Sequence, residues 1–256
     1  MIAILLALAS AGFKESRRNR VTVVVVAFAL VLILMTTVVL NTTAFTLDRV
    51  VTDFGLGVMS LLLVSLAMYL SVGLLSREVE RRTIFLVVSR PLSRATFVAG
   101  RFLGIVATLT VMEAAMVVLY ASQLWLFDVA PTSAMVAAVV GLWIELLVIA
   151  ALGLFLSSFA GQLVAAICLV GVYLVGHWSQ DLWAQAERQP APVMKALLRA
   201  AYYLVPNLDR FDFRVEAAYA QSVEVGTVLP VLAFGLAWTV ALVTAAAMVL
   251  GRRDFK

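Results

Sequence analysis

The sequence predicts an all-α integral membrane protein with six transmembrane helices in one domain. Three observations predict it. Mean hydropathy is +1.06. Apolar residues make up 64% of the chain against 13% charged. The apolar residues also gather in long runs instead of alternating with polar ones. Soluble domains do not combine these properties.

A bilayer core about 30 Å thick asks for roughly 20 apolar helical residues at about 1.5 Å each. Six segments answer: Val21–Leu40, Phe54–Leu75, Phe102–Leu124, Ser133–Phe155, Val164–Trp178 and Val228–Leu250. The fifth is the shortest, and it reaches span length if Ser158–Gln162 joins it at the interface.

Ahead of the first span, Met1–Phe13 is apolar but too short to cross. Its basic neighbours Lys14, Arg17, Arg18 and Arg20 follow the apolar stretch, the reverse of a secretory signal. Ser10, Lys14 and Arg17 share one helical face, and Leu6, Ala9 and Phe13 share another. Residues 1–20 are therefore expected to form an interfacial helix, with Phe13 toward lipid and Lys14, Arg17 and Arg18 toward headgroups.

The 19 lysines and arginines are unevenly placed. They cluster before Arg20, between 76 and 101 (Arg77, Arg81, Arg82, Arg90, Arg94, Arg101), and in the tail (Arg252, Arg253, Lys256). Asn41–Asp53 carries only Arg49, and Trp125–Thr132 carries none. The positive-inside rule puts both termini and the 76–101 insert in the cytoplasm, as an even number of spans requires. The loop His177–Thr227 then lies outside, with acids Asp181, Glu187, Asp209, Asp212, Glu216 and Glu224 among its basic residues. The net charge of +4 is thus a matter of topology and not of nucleic-acid binding.

The insert interrupts two long apolar runs with charge that hydrocarbon cannot hold. Glu78 and Arg82, and Arg77 and Glu80, are spaced to pair on an exposed helix. Ile84–Val88 follows as an apolar patch that suits either a docking face or the lipid surface. Arg90-Pro91 stops that helix. Ser93 can cap a second one that carries Phe97 and Arg101 into the third span.

In the long loop, Leu182-Trp183, Val193, Ala196–Leu198 and Ala201–Leu204 recur at near-helical spacing between charges. Pro190, Pro192 and Pro206 punctuate them. Two short amphipathic helices on the outer surface are expected, then a turn over Asn207–Phe213. The loop covers the pathway or meets an extracytoplasmic partner.

Two acids lie inside spans. Glu113 is twelve residues past Arg101 and Glu145 twelve past Ser133, so each is about 18 Å deep along its helix. A carboxylate at mid-bilayer costs about 2.5–3.5 kcal/mol on insertion scales, so each must face protein or water. They line a substrate route or they are hydrogen-bonded packing residues.

Other chemistries lack their residues. No G-x-x-x-x-G-K-[ST] occurs, and Lys14, Lys195 and Lys256 are the only lysines, so no P-loop cradles nucleotide here. His177 is the only histidine, which argues against a histidine metal cluster, a catalytic triad or any enzyme site in this chain. Met112 and Met116 read as a packing stripe. Cys168 has no partner for an internal disulfide.

The order acid, Thr, apolar run, Pro-Leu-Ser-Arg, Phe, Gly-Arg and then a transmembrane helix is read from Glu80, Thr83, Leu86, Pro91, Leu92, Ser93, Arg94, Phe97, Gly100 and Arg101. It resembles the type-2 ABC transporter permeases, including those grouped with copper-enzyme maturation systems. Phe13–Arg20, Glu145, Ser157-Ser158, Pro206–Leu208 and Arg252–Asp254 are similar too. Arg82 stands where that family usually has Gly, and Arg101 where Lys is common.

The resemblance implies a permease half of an exporter in a bacterial inner membrane. Its coupling helix would seat in a separate ATPase subunit that binds ATP and Mg, so this chain needs no cofactor. A second half, an identical copy or a paralogue, completes the pathway. Coupling would fall to Arg77, Glu78, Glu80, Arg81, Arg82, Thr83, Phe85, Pro91, Leu92, Ser93 and Arg94. Two rivals share parts of this reading: a non-transporting membrane subunit that passes ATPase work to an extracytoplasmic assembly, and a stand-alone secondary transporter.

Overall fold

The computed structural model describes residues 21–40, 47–80 and 94–252. Among them there are helices and no strand. They are α1 (Val21–Leu40), α2 (Leu47–Glu80), α3 (Arg94–Leu126), α4 (Ser133–Ser157), α5 (Gln162–His177), α6 (Ser179–Arg188), α7 (Pro192–Leu204), α8 (Arg214–Ala218) and α9 (Val225–Arg252), with a 3-10 turn at Asp209–Phe211 between α7 and α8.

Four of these helices are long and apolar enough to cross a membrane: Asp48–Gly73 within α2, Ala95–Leu126 within α3, Ser133–Phe159 and Val225–Gly251. A fifth is reached if α5 and α6, which meet at 65°, count as one bent span. α1 is a shorter apolar helix by the same measure, over Val23–Thr36, and carries no charged residue. The interfacial helix expected over 1–20, with Phe13, Lys14, Arg17 and Arg18, lies outside the described residues.

α4 is the hub. It packs against α2, α3, α5 and α9, and most of its side chains are buried. A helix apolar on every face is stable only when surrounded, and α4 shows that case. Polar side chains fasten the neighbours. Trp143 Nε1 on α4 donates to Thr110 Oγ1 on α3 at 3.0 Å. Gln123 Nε2 on α3 donates to the Leu32 carbonyl on α1 at 3.4 Å.

The link from α3 to α4 follows from local chemistry. Val129 N–H donates to the Leu124 carbonyl at 2.9 Å and Asp128 N–H to that of Trp125 at 3.3 Å, the pair of bonds that closes a Schellman motif. Asp128 takes the left-handed conformation, φ 56°, which Asp tolerates better than most residues. Thr132 then caps α4 by accepting from Met135 N–H at 3.3 Å. So short a link makes α3 and α4 antiparallel neighbours.

The insert differs from its expected layout in one respect. Residues 76–80 do not begin a separate helix; they continue α2 to Glu80. α3 opens at Arg94, next after Ser93, where the second helix of the insert is expected. Arg81, Arg82, Thr83, Phe85, Pro91, Leu92 and Ser93 lie outside the described residues. In the long loop the two amphipathic helices are present as α6 and α7, with Pro192 opening α7 in the first-turn position where a missing N–H costs nothing.

Candidate functional site

The turn expected over Asn207–Phe213 is not a surface feature. Pro206, Asn207, Leu208, Phe211 and Phe213 are buried, with Leu208 at 0% and Phe211 at 1% exposure. Leu208 N–H donates to the Gly176 carbonyl at the end of α5, at 3.1 Å. The chain then makes its 3-10 turn between α4 and α9. Room for it comes from missing side chains. A Cβ at Gly141 of α4 would collide with the Phe211 carbonyl oxygen, and one at Gly235 of α9 would meet Ile144 and the Phe211 ring. Phe211 also lies 6.1 Å, centroid to centroid, from Phe234 of α9. A loop that leaves water to bury a Phe and a Leu gains about 1.5–3 kcal/mol for each, so residues 206–213 form a plug seated among the helices.

Polar groups sit at the plug's inner edge. Arg214 donates to Asp212 Oδ1 through its backbone N–H at 3.0 Å and through Nε at 2.8 Å, and its Nη2 donates to Oδ2. Burial pushes the Asp212 carboxyl up, but the hydrogen bonds and charge of Arg214 outweigh it and hold the group below its ordinary value. The Asp212 hydrogen bond in turn holds the Arg214 guanidinium above its ordinary value. The guanidinium lies beside Gly57 of α2, where a Cβ would still leave 3.8 Å to Nη1.

Glu145 of α4 completes the group. It is 3% exposed, and with Ser60, Asp212 and Arg214 it lines a cavity of about 10 Å³ closed by Leu56, Ala138, Leu142 and Phe211. That is the volume one water needs. His177, at the end of α5, brings Nε2 to 3.5 Å from Glu145 Oε1. Its Nδ1 faces the Tyr173 carbonyl at 3.3 Å, and its ring leans on that of Tyr173 with centroids 4.4 Å apart. Glu145 Oε1 has no hydrogen-bond partner among the described residues, so the imidazole approaches it without bonding it. Two carboxylates face one guanidinium, and the remaining charge is one that a proton on Glu145 or His177 can balance.

Glu113 stands apart. It is 4% exposed, its Oε1 lacks a hydrogen-bond partner among the described residues, and it does not line the cavity that Glu145 shares. Of the two acids read from the sequence, one belongs to a polar cluster and the other is buried alone on α3. His177, Asp212 and Arg214 were not singled out by their sequence positions, because 32 residues or more separate them from Glu145. The available signal was indirect: charged residues interleaved with aromatics over 208–213, and glycines at 141 and 235. Among the described residues no group of His, Cys, Asp and Glu converges as a metal site would.

No curated protein matches the chain in sequence. The family model described as "ABC-2 family transporter protein" matches residues 6–255, from the first residues to the charged tail. The match takes in the α2–α3 region whose motif carries the resemblance to type-2 permeases, and the apolar helices are those of an integral membrane protein. The chain therefore belongs to the ABC-2 transporter family and is a membrane permease of that family.

Proposed function

We propose that the chain is the membrane-spanning subunit of an ABC exporter, driven at residues 76–101 by a separate ATPase. The observation that carries this is the family match over residues 6–255 in a chain with no phosphate-binding loop. Nucleotide chemistry then has to come from a partner that binds ATP and Mg. The geometry is suited to the task. α2 has 34 residues and α3 has 33, so each runs about 50 Å and overshoots a bilayer core of about 30 Å. In α2 the apolar part ends at Gly73, a full two turns short of Glu80. Segment 81–93 joins these two long helices in sequence. A push on Arg77, Glu78, Glu80, Arg81, Arg82, Thr83, Phe85 or Pro91–Arg94 is delivered to both, and through them to α4.

In this reading six passes cross the membrane: α1, α2, α3, α4, α5 with its bent continuation, and α9. Both termini and the insert are cytoplasmic, and residues 177–227 are outside. Two halves, identical or paralogous, enclose the route, and the buried Glu145 and Glu113 couple helix movement to it. The plug closes the outer end of α4 and moves when α2 and α3 move. The test is the rate of ATP hydrolysis by the ATPase reconstituted with this chain. Reversing Arg81 and Arg82 to Glu should abolish the stimulation that the intact chain gives.

A second reading keeps the same drive but delivers the work outside, to an extracytoplasmic assembly. The α6–α7 hairpin favours it, because Val193, Leu197, Tyr203 and Leu204 are exposed along α7. Flux in vesicles holding only this chain and its ATPase decides for transport; stimulation without flux decides for the second reading.

A further inference from the structure

The α6–α7 hairpin packs mainly on itself. Glu187 Oε1 accepts from Arg199 Nη2 at 2.8 Å, and its Oε2 lies 3.5 Å from Lys195 Nζ. Trp183 stacks on Tyr202 with centroids 5.1 Å apart. Arg199, first of all by its hydrogen bond, holds the Glu187 carboxyl below its ordinary value. Between this hairpin and α9 the structure leaves a cavity of about 340 Å³, lined by Trp183, Tyr202, Tyr203, Arg210, Phe234 and Trp238 among others.

That volume equals about ten water molecules, but the wall is mostly aromatic and gives water few partners. The cavity is open at its mouth and is walled on the α9 side by Phe234 and Trp238, and Trp238 lies about 20 Å along α9 from Val225. The pocket therefore runs from the headgroup level, where Trp and Tyr concentrate, into the hydrocarbon.

Charge selects the occupant. Arg210 is exposed at the pocket and its guanidinium sits 5.2 Å from the Phe234 ring centroid. Arg199 lies 5.5 Å from the Trp183 ring centroid. Arg199 is matched by Glu187. Arg210 has no carboxylate within ion-pair distance among the described residues. One unmatched cation over an apolar slot fits an anionic head on a hydrocarbon tail.

We propose that the slot between the α6–α7 hairpin and α9 binds an acidic phospholipid, its phosphate on Arg210 and one acyl chain running past Phe234 to Trp238. The lipid fills the gap between hairpin and span. It also holds the 3-10 turn of the plug, since Arg210 belongs to that turn. This site stands independently of the ATPase coupling proposed above.

Native mass spectrometry of the full-length protein tests it, with phosphatidylglycerol and phosphatidylcholine of identical chains as probes and sn-glycerol phosphate as the head alone. Phosphatidylglycerol should bind about five-fold tighter than phosphatidylcholine, the weight of one basic residue at a lipid surface. Arg210→Gln should erase that preference, and Arg210→Lys should restore part of it, which separates lost charge from misfolding. Glycerol phosphate should not bind. Equal affinity for the two lipids, a preference that survives Arg210→Gln, or binding of glycerol phosphate as tight as the lipid would each overturn the site.

Discussion

The carbonyl oxygen of Phe211 lies against Gly141 so closely that even a methyl group on that glycine would overlap it. The plug and the central helix are fitted at this point by the absence of a side chain. Gly141→Ala should lower stability by about 1–3 kcal/mol, the usual result of overpacking. It should also speed proteolysis within 206–213. Thermal unfolding with limited digestion checks both; an unchanged digestion pattern means the plug is not seated by this contact.

Glu145 is the one intramembrane acid that meets the plug's charged pair. Glu145→Gln keeps the shape but removes the ionisable carboxyl that Arg214 and His177 face. Transport and stimulated ATP hydrolysis should both fall about ten-fold, within the 1–3 kcal/mol typical of coupling between sites. Wild-type rates for both would make Glu145 a packing residue.

Asp212 gives a pH dependence whose sign is fixed. Its folded pKa is depressed, so its contribution is fully present above the ordinary Asp value of about 3.9 and is lost as pH falls through the lower folded value. Asp212→Asn should cost about 1.5–3 kcal/mol at neutral pH, the range for hydrogen bonds to charged groups. The difference from wild type should shrink as pH falls below the ordinary Asp value toward the lower folded one, where the group takes up its proton in both states. Unfolding curves measured from neutral pH into acid check it; a difference that stays constant as pH falls contradicts the assignment.

Ala220 sits at φ 49°, just past α8. Gln221 N–H donates to the Glu216 carbonyl at 2.9 Å and Ala220 N–H to that of Ala217 at 3.2 Å. This is a Schellman closure with alanine where glycine is preferred. The left-handed conformation costs a residue with a Cβ about 1–2 kcal/mol, while glycine gives some of that back through a freer unfolded chain. Ala220→Gly should therefore stabilise by up to about 1 kcal/mol, read as a raised midpoint in denaturant.

The apolar helices were legible because membrane burial writes itself into long apolar runs, and α1 has the bounds read from the sequence. The breaks were legible where Pro and Gly fix the backbone, as with Pro192 at the start of α7. The plug was not. Leu208, Phe211 and Phe213 resemble the apolar face of a surface turn, and the facing glycines of α4, α5 and α9 make a seat for them. The cluster around Glu145 escaped for the same reason: Asp212 and Arg214 read as solvated loop charges until the fold carries them to α4. The apolar run of α5 was legible, but its continuation at 65° into α6 was not.

The central claim is that ATP burned by a partner reaches this permease through residues 76–101. Its most direct measurement is ATP hydrolysis by the ATPase subunit reconstituted in lipid with the intact chain and with Arg81→Glu/Arg82→Glu. The account predicts stimulation by the intact chain and hydrolysis at the level of the ATPase alone with the variant, while the variant still inserts in the membrane. Equal stimulation by both chains would contradict it.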